Sequence, residues 1–315
     1  MQLDLEIQDG RPDRPGVLLV HGLGMNRHFW GEPGRCPALG GLASLDFFLA
    51  GPPPEDAPGR VSTGTARPCR GLADHLLAAG LGVASWSQRS PVGPASEALA
   101  ELAAVVATLE ARWPGRPLYL VGHSRGGLLA GAHLLAHDEA RIAGLVTIGT
   151  PHAGSRLAPF AGRLRLGGRL LARLLPAERR GPAAAALARL AAFLDSPAIG
   201  ELDPGGAFIR ATSQPLPARL RTLSLGGTDP ALVRLYLRPT SKAPWKSLAF
   251  PELFFKAIPA SRRAAEVTPG LGDGLVSAAS SVLQGSRHFD LACNHVGLAF
   301  DPRAQGAILD LLLSS

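Results

Sequence analysis

Serine, histidine and aspartate, each next to glycine or at the end of an apolar run, recur in this 315-residue chain in an order that suits nucleophilic chemistry. The first of them lies in Gly122-His123-Ser124-Arg125-Gly126, a Gly-x-Ser-x-Gly pentapeptide. A serine hydroxyl attacks poorly at neutral pH until a base takes its proton, and that base needs an acid to hold its tautomer. The negative oxygen formed on an attacked carbonyl must then meet N–H dipoles already in place. The pentapeptide alone says little, since a chain this rich in glycine and serine yields roughly 0.3 such matches by chance. Its surroundings say more. Leu118-Tyr119-Leu120-Val121 reads as a strand buried on both faces, and Gly127 to Leu135 reads as a helix. Strand, sharp turn and helix together form a nucleophile elbow, which presents Ser124 and aims the Arg125 amide at developing charge.

The partners should follow in the order serine, acid, histidine, on loops after later strands. Asp273, in Gly272-Asp273-Gly274, and His295, in Asn294-His295, meet that order. Ser124 is therefore read as nucleophile, His295 as general base and then acid, and Asp273 as the carboxylate that orients the imidazole. Asp229 is a rival acid because it directly follows a strand, and His288 a rival base, though its alternating strand suggests packing. The assignment requires the His295 imidazole to lie within about one bridging water of the Ser124 hydroxyl. Gly16-Val17-Leu18-Leu19-Val20 is a second buried strand, ending in His21-Gly22-Leu23-Gly24. The Leu23 amide can supply the second oxyanion donor, while His21 is expected to order the loop by hydrogen bonding.

The elements needed to position these groups alternate along the chain. Strands are expected near 16–20, 81–86, 117–121, 141–149, 219–227 and 287–292, and helices over 71–80, 94–113 and after Asp301-Pro302. This α/β pattern predicts one domain over 1–315, a mostly parallel sheet with helices on both faces. Residues 31–70 read as a loop excursion near the site, and 230–265 as a second irregular excursion carrying Trp245, Phe250, Phe254 and Phe255. Residues 155–215 read as a helical cap or lid, with Leu171, Leu174 and Leu175 on one helical face and Leu190, Ala191 and Leu194 on another. Within it, 156–189 holds eight arginines against a single Glu178. That basic stretch is expected to cover a pocket, with transient contact to anionic lipid as the sharper possibility.

Composition narrows the alternatives. The net charge of +7 is almost all arginine, and only 5% of residues are aromatic, so base-stacking platforms and nucleic-acid partners are not expected. No apolar run reaches the ~20 residues of a membrane span. The acidic, alternating start Met1-Gln2-Leu3-Asp4-Leu5-Glu6-Ile7 is unlike an export signal, so a cytoplasmic protein is expected. Cys36, Cys69 and Cys293 have no metal-ligand spacing and read as reduced thiols; a Cys36–Cys69 bridge is the alternative for an exported chain. No metal or organic cofactor is expected.

Taken together, Val20-His21-Gly22-Leu23-Gly24, the Ser124 elbow, Gly149-Thr150-Pro151-His152-Ala153-Gly154-Ser155, Asp273-Gly274-Leu275-Val276-Ser277 and Asn294-His295 resemble the α/β-hydrolase fold. They are similar to the lipase/esterase superfamily, and within it to bacterial triacylglycerol lipases. Leu202-Asp203-Pro204-Gly205-Gly206-Ala207-Phe208 resembles a segment following the cap in those enzymes. The resemblance implies a serine hydrolase that cleaves carboxylic esters through an acyl-enzyme, with Leu23 and Arg125 as oxyanion donors. It favours Asp273 over Asp229. Many secreted relatives carry a calcium-binding aspartate just after the histidine; here Val296-Gly297-Leu298 follows, so calcium is not carried over. Those relatives also have export leaders, which the start of this chain does not resemble, so an intracellular ester or lysophospholipid is the expected candidate substrate. An acyltransferase or thioesterase would use the same residues, and a non-catalytic interaction protein is the alternative from another class.

Overall fold

Short β-rich runs punctuated by glycine and proline form the centre of the molecule. A computed structural model describes residues 3–65, 69–137, 140–159, 182–240, 243–250, 255, 258–259 and 262–314. Its central sheet has seven strands: β1 (Asp4–Gln8), β2 (Gly16–Val20), β3 (Gly82–Ser87), β4 (Leu118–His123), β5 (Ile142–Ile148), β6 (Arg221–Gly227) and β7 (Arg287–Leu291). Their spatial order is β1-β3-β2-β4-β5-β6-β7. Every neighbouring pair is parallel except β1 and β3, which run antiparallel at one edge.

Parallel strands covered on both faces need apolar side chains in both directions. Every residue of β2 and β4 is buried, whereas edge strand β1 alternates between exposed and half-buried. Neighbours in β2 serve two cores: Val17 and Leu19 pack with Leu72, Leu76 and Ile308 on one face, and Leu18 and Val20 with Leu102, Leu109 and Leu129 on the other. Helices α1 (Leu72–Ala78), α2 (Ala95–Arg112) and α3 (Arg125–Ala136) supply most of these partners. The C-terminal end of α2 is closed by Arg141, whose guanidinium donates to the Glu110 carbonyl at 3.1 Å and also to the Trp113 carbonyl. Those are carbonyls that helix geometry leaves unpaired.

The stretch 155–215, expected to form a cap, holds α4 (Pro182–Leu194), a short turn at Pro197–Gly200 and α5 (Ala207–Thr212), which packs against α3. Leu171, Leu174, Leu175 and most of the basic stretch 156–189 lie outside the described residues. The chain ends in α6 (Pro302–Leu313), capped by the Asp301 side chain accepting from the Arg303 amide at 2.8 Å.

The reading of 230–265 as irregular needs correction. Val233–Leu237 and Lys246–Phe250 pair as an antiparallel hairpin, and Val61–Ser62 from the earlier excursion adds a third strand. Arg238 pins the assembly: its guanidinium donates to the carbonyls of Gly59 at 2.9 Å and Glu55 at 2.8 Å and stacks 4.2 Å from the Trp245 ring centroid. Such a sheet joins segments some 170 residues apart, a pairing no local periodicity can announce. Phe254 lies outside the described residues.

Candidate active site

Ser124 sits between β4 and α3 with φ 53° and ψ −127°. Among the described residues only it and Leu39 hold a positive φ without being glycine. Backbone in such a region costs on the order of 1–3 kcal/mol and persists where its surroundings over-determine it. Here the Ser124 amide donates to the Ile148 carbonyl at 2.8 Å, and its own carbonyl accepts from the Gly127 amide at 3.0 Å. The flanking glycines are needed for contact. A Cβ on Gly122 would stand 2.4 Å from the Gly127 Cα, and one on Gly126 would stand 2.2 Å from the Val20 carbonyl oxygen.

Asp273 and His295 meet beyond the ends of β6 and β7. Asp273 Oδ2 accepts from His295 Nδ1 at 2.8 Å, with both side chains buried. The other carboxylate oxygen, Oδ1, accepts the amides of Leu275 at 3.0 Å and Val276 at 2.7 Å. The His295 amide donates to the Asp273 carbonyl at 2.9 Å, so the two loops are laced by main chain as well. With Nδ1 committed to the carboxylate, Nε2 is the nitrogen that can take a proton from a hydroxyl.

The serine turn and the acid–base pair each border the end of β5. Ile148 holds the Ser124 amide, and the next residue, Gly149, lies against the acid–base pair. At φ 56°, a Cβ on Gly149 would stand 3.2 Å from His295 Nδ1 and 3.3 Å from Asp273 Oδ2. His123, directly before the serine, donates from Nε2 to the His295 carbonyl at 3.0 Å, and the two rings lie 4.8 Å apart. Burial, then the neighbouring His295, pushes the His123 pKa well below its usual value. Among the described residues neither the Ser124 hydroxyl nor His295 Nε2 has a hydrogen-bond partner.

The rival residues are engaged elsewhere. Asp229 pairs with Arg234 at 2.8 Å and accepts the Ala231 amide at 3.0 Å. His288 lies 2.8 Å from the Ser224 hydroxyl through Nδ1 and 3.1 Å from Asp290 through Nε2. His21 accepts the Gln88 amide at Nε2 (3.0 Å), while its Nδ1 lies 2.9 Å from the Gly22 carbonyl. Burial pushes its pKa down to about 4, so it stays neutral and holds the loop.

That loop runs beside the serine: a Cβ on Gly22 would stand 3.0 Å from the Ser124 Cβ. Leu23 follows, and among the described residues its amide donates to no acceptor. Arg125 is the first residue of α3, where helix geometry gives the amide no intrahelical acceptor. Helix α4 rests on the same loop, since a Cβ on Gly24 would meet Phe193 Cε2 at 2.7 Å. Three contacts escaped the sequence reading: the His123 bridge, the closeness of Gly149, and a pairing of Arg125 with Glu201 at 2.8 Å. The first two fall inside the motifs already noted; Glu201 carried no local signal.

Among the described residues no cluster of three His, Cys, Asp or Glu could hold a metal ion, and no helix is long and apolar enough to cross a membrane. All three cysteines are free thiols. Burial raises the pKa of Cys36 to about 11, and burial with the nearby Asp301 raises Cys293 to about 12.

This architecture recurs in solved structures. The mature form of the Bacillus licheniformis lipase BlEst2 superposes with a TM-score of 0.59 at 17% identity, covering 99% of this chain and 98% of that one. The fold is that of the α/β-hydrolases. The propeptide form of BlEst2 gives a TM-score of 0.61 at 16% identity, and the alignment spans 99% of this chain and 54% of that longer one. Residues 74–191, which include the elbow, match the family described as serine aminopeptidase, S33. The chain thus resembles α/β-hydrolase serine hydrolases of the lipase and esterase kind. Comparison with curated proteins found no significant match.

Proposed function

We propose that this α/β-hydrolase is a serine hydrolase that cleaves carboxylic esters, of lipids or of short acyl groups, through an acyl-enzyme. The observation that carries the proposal is the buried His295–Asp273 pair, which borders the end of β5 as the strained Ser124 turn also does. In this reading Ser124 Oγ attacks the ester carbonyl carbon while His295 Nε2 takes its proton. The proton then passes to the leaving alcohol, and water, deprotonated by the same nitrogen, releases the acid. Asp273 stays ionised and holds Nδ1–H throughout. The amides of Leu23 and Arg125 receive the oxyanion. Hydrogen bonds between such groups are often long until substrate binds, which suits the unpaired Ser124 hydroxyl.

A fluorophosphonate probe should label Ser124, and p-nitrophenyl esters of increasing acyl length should be turned over with a defined optimum. A folded protein unlabelled at Ser124 would remove the proposal. An acyltransferase or thioesterase would label equally, and is separated by its products with alcohol acceptors or thioester substrates. The arginine excess of 156–189 supports contact with anionic lipid. Equal, negligible binding to anionic and neutral liposomes would exclude that contact.

A further inference from the structure

The side chain of Arg125 points to a role for a residue far from the motifs. Its guanidinium is 1% exposed, yet among the described residues Nε and Nη1 have no hydrogen-bond partner. Nη2 alone is bonded, to the Gly93 carbonyl and to Glu201 Oε2, each at 2.8 Å. A buried charge held so sparsely depends on its single counter-charge. Glu201 has a second task with its other oxygen, Oε1, which accepts the Ala95 amide at 2.7 Å. Ala95 opens α2 behind Pro94, a cap residue with no side-chain acceptor. One carboxylate therefore moors the first turn of α2 and the first residue of α3.

Glu201 also belongs to the stem by which the chain returns from the cap. The Ala198 amide donates to Val92 at 3.4 Å, and the Leu202 carbonyl accepts from Ser155 at 2.9 Å, so this stem is fixed at both ends. On the reading that the Arg125 amide is an oxyanion donor, we propose that Glu201 is a positioning residue for it. By holding the Arg125 side chain it fixes the Arg125 Cα. The strained Ser124–Arg125 peptide is thereby kept from relaxing into a geometry whose N–H points away from the oxyanion. The return stem of the cap is in this way coupled to transition-state stabilisation, with no contact between Glu201 and substrate.

The test uses the full chain and a p-nitrophenyl ester. Glu201→Gln keeps an acceptor for Ala95 but removes the charge facing Arg125. Its kcat should fall ~10–100-fold with KM within about twofold, less than the ~10²–10³ lost when an oxyanion donor is deleted outright. The double variant Arg125→Met/Glu201→Leu removes both charges, and replacement of a buried pair by apolar groups commonly recovers stability. It should regain the wild-type Tm and keep the low kcat, which a merely structural role would not produce. If Glu201→Gln does not fold, the double variant decides by itself. A folded Glu201→Gln with wild-type kcat, or a double variant that regains kcat with Tm, overturns the role of Glu201. Fluorophosphonate labelling of wild-type Ser124, run first, separates that result from failure of the serine-hydrolase reading itself.

Discussion

Among the described residues a Ser–His–Asp contact within the sheet stands beside the proposed triad, and their differences show what residue type alone leaves open. Ser224, His288 and Asp290 are in contact on β6 and β7, with distances of 2.8 and 3.1 Å. Of the proposed Ser124, His295 and Asp273, the last two are in direct contact at 2.8 Å, and all three stand outside the strands. In the first grouping the serine lies inside a regular strand and is fully buried, and its hydroxyl also meets Ser286 at 2.7 Å and the Leu283 amide at 3.3 Å. A carbonyl carbon has no approach to such an oxygen. Its aspartate is about half exposed, at 47%, so water screens the charge that would steady an imidazolium. In the second grouping Asp273 is wholly buried and fed by two backbone amides, and Ser124 stands on strained backbone at a helix start. Strand interiors satisfy polar groups; strand ends leave them available.

The contrast can be broken by substitution. Ser124→Ala should abolish ester turnover, and His295→Ala should do nearly the same, each by ~10⁴-fold or more, measured as kcat/KM. Asp273→Asn should lower kcat by ~10⁴-fold with the fold retained, because the amide holds the wrong tautomer. If Ser124→Ala stays within tenfold of wild type, another nucleophile carries the reaction.

Gly149→Ala comes next. The methyl would press on both members of the acid–base pair from a backbone position that L side chains rarely adopt. We expect a loss of about tenfold or more in kcat, since ångström-scale misplacement can cost ~10²-fold. Wild-type kinetics for this variant would mean that the pair tolerates displacement.

Acid should then separate stability from chemistry. Burial pushes His21 and His152 each down to about 4 from 6.5, and pushes His123 down as well. Between those values the unfolded chain binds protons that the folded chain does not, so stability present above about pH 6.5 declines as pH falls toward 4. Each of the two should withdraw about 3 kcal/mol over that window. Denaturant midpoints from pH 7 to 4 would measure it, and a flat profile would contradict neutral buried imidazoles.

His288→Ala should have the smallest effect: kcat within about twofold of wild type, with a stability loss of about 1 kcal/mol from its hydrogen bonds. A large drop in kcat would make the edge grouping part of the chemistry and erase the contrast.

Much of this organisation was legible in residue order. The run Leu118 to Val121 announces a strand, the glycines around Ser124 announce a tight turn, and the leucine- and alanine-rich run Gly127 to Leu135 reads as a helix. Each signal is local, carried by steric limits on neighbouring residues. The alternation in Val233–Leu237 is equally present, but its partner Val61–Ser62 lies far upstream, so local pattern alone leaves 230–265 without a sheet to join. Residue order also left Asp229 and Asp273 both standing. Only in the folded chain does Arg234 take one and His295 the other.

The amino-acid sequence by itself determined the strand–turn–helix elbow, the alternating α/β plan and the short set of candidate groups, because those rest on periodicity and backbone freedom within a few residues. The tertiary structure decided which carboxylate faces which imidazole, that Gly149 closes on that pair, and that Glu201 holds Arg125. Such choices depend on distances between segments brought together by burial of a common core, and sequence separation carries no measure of them.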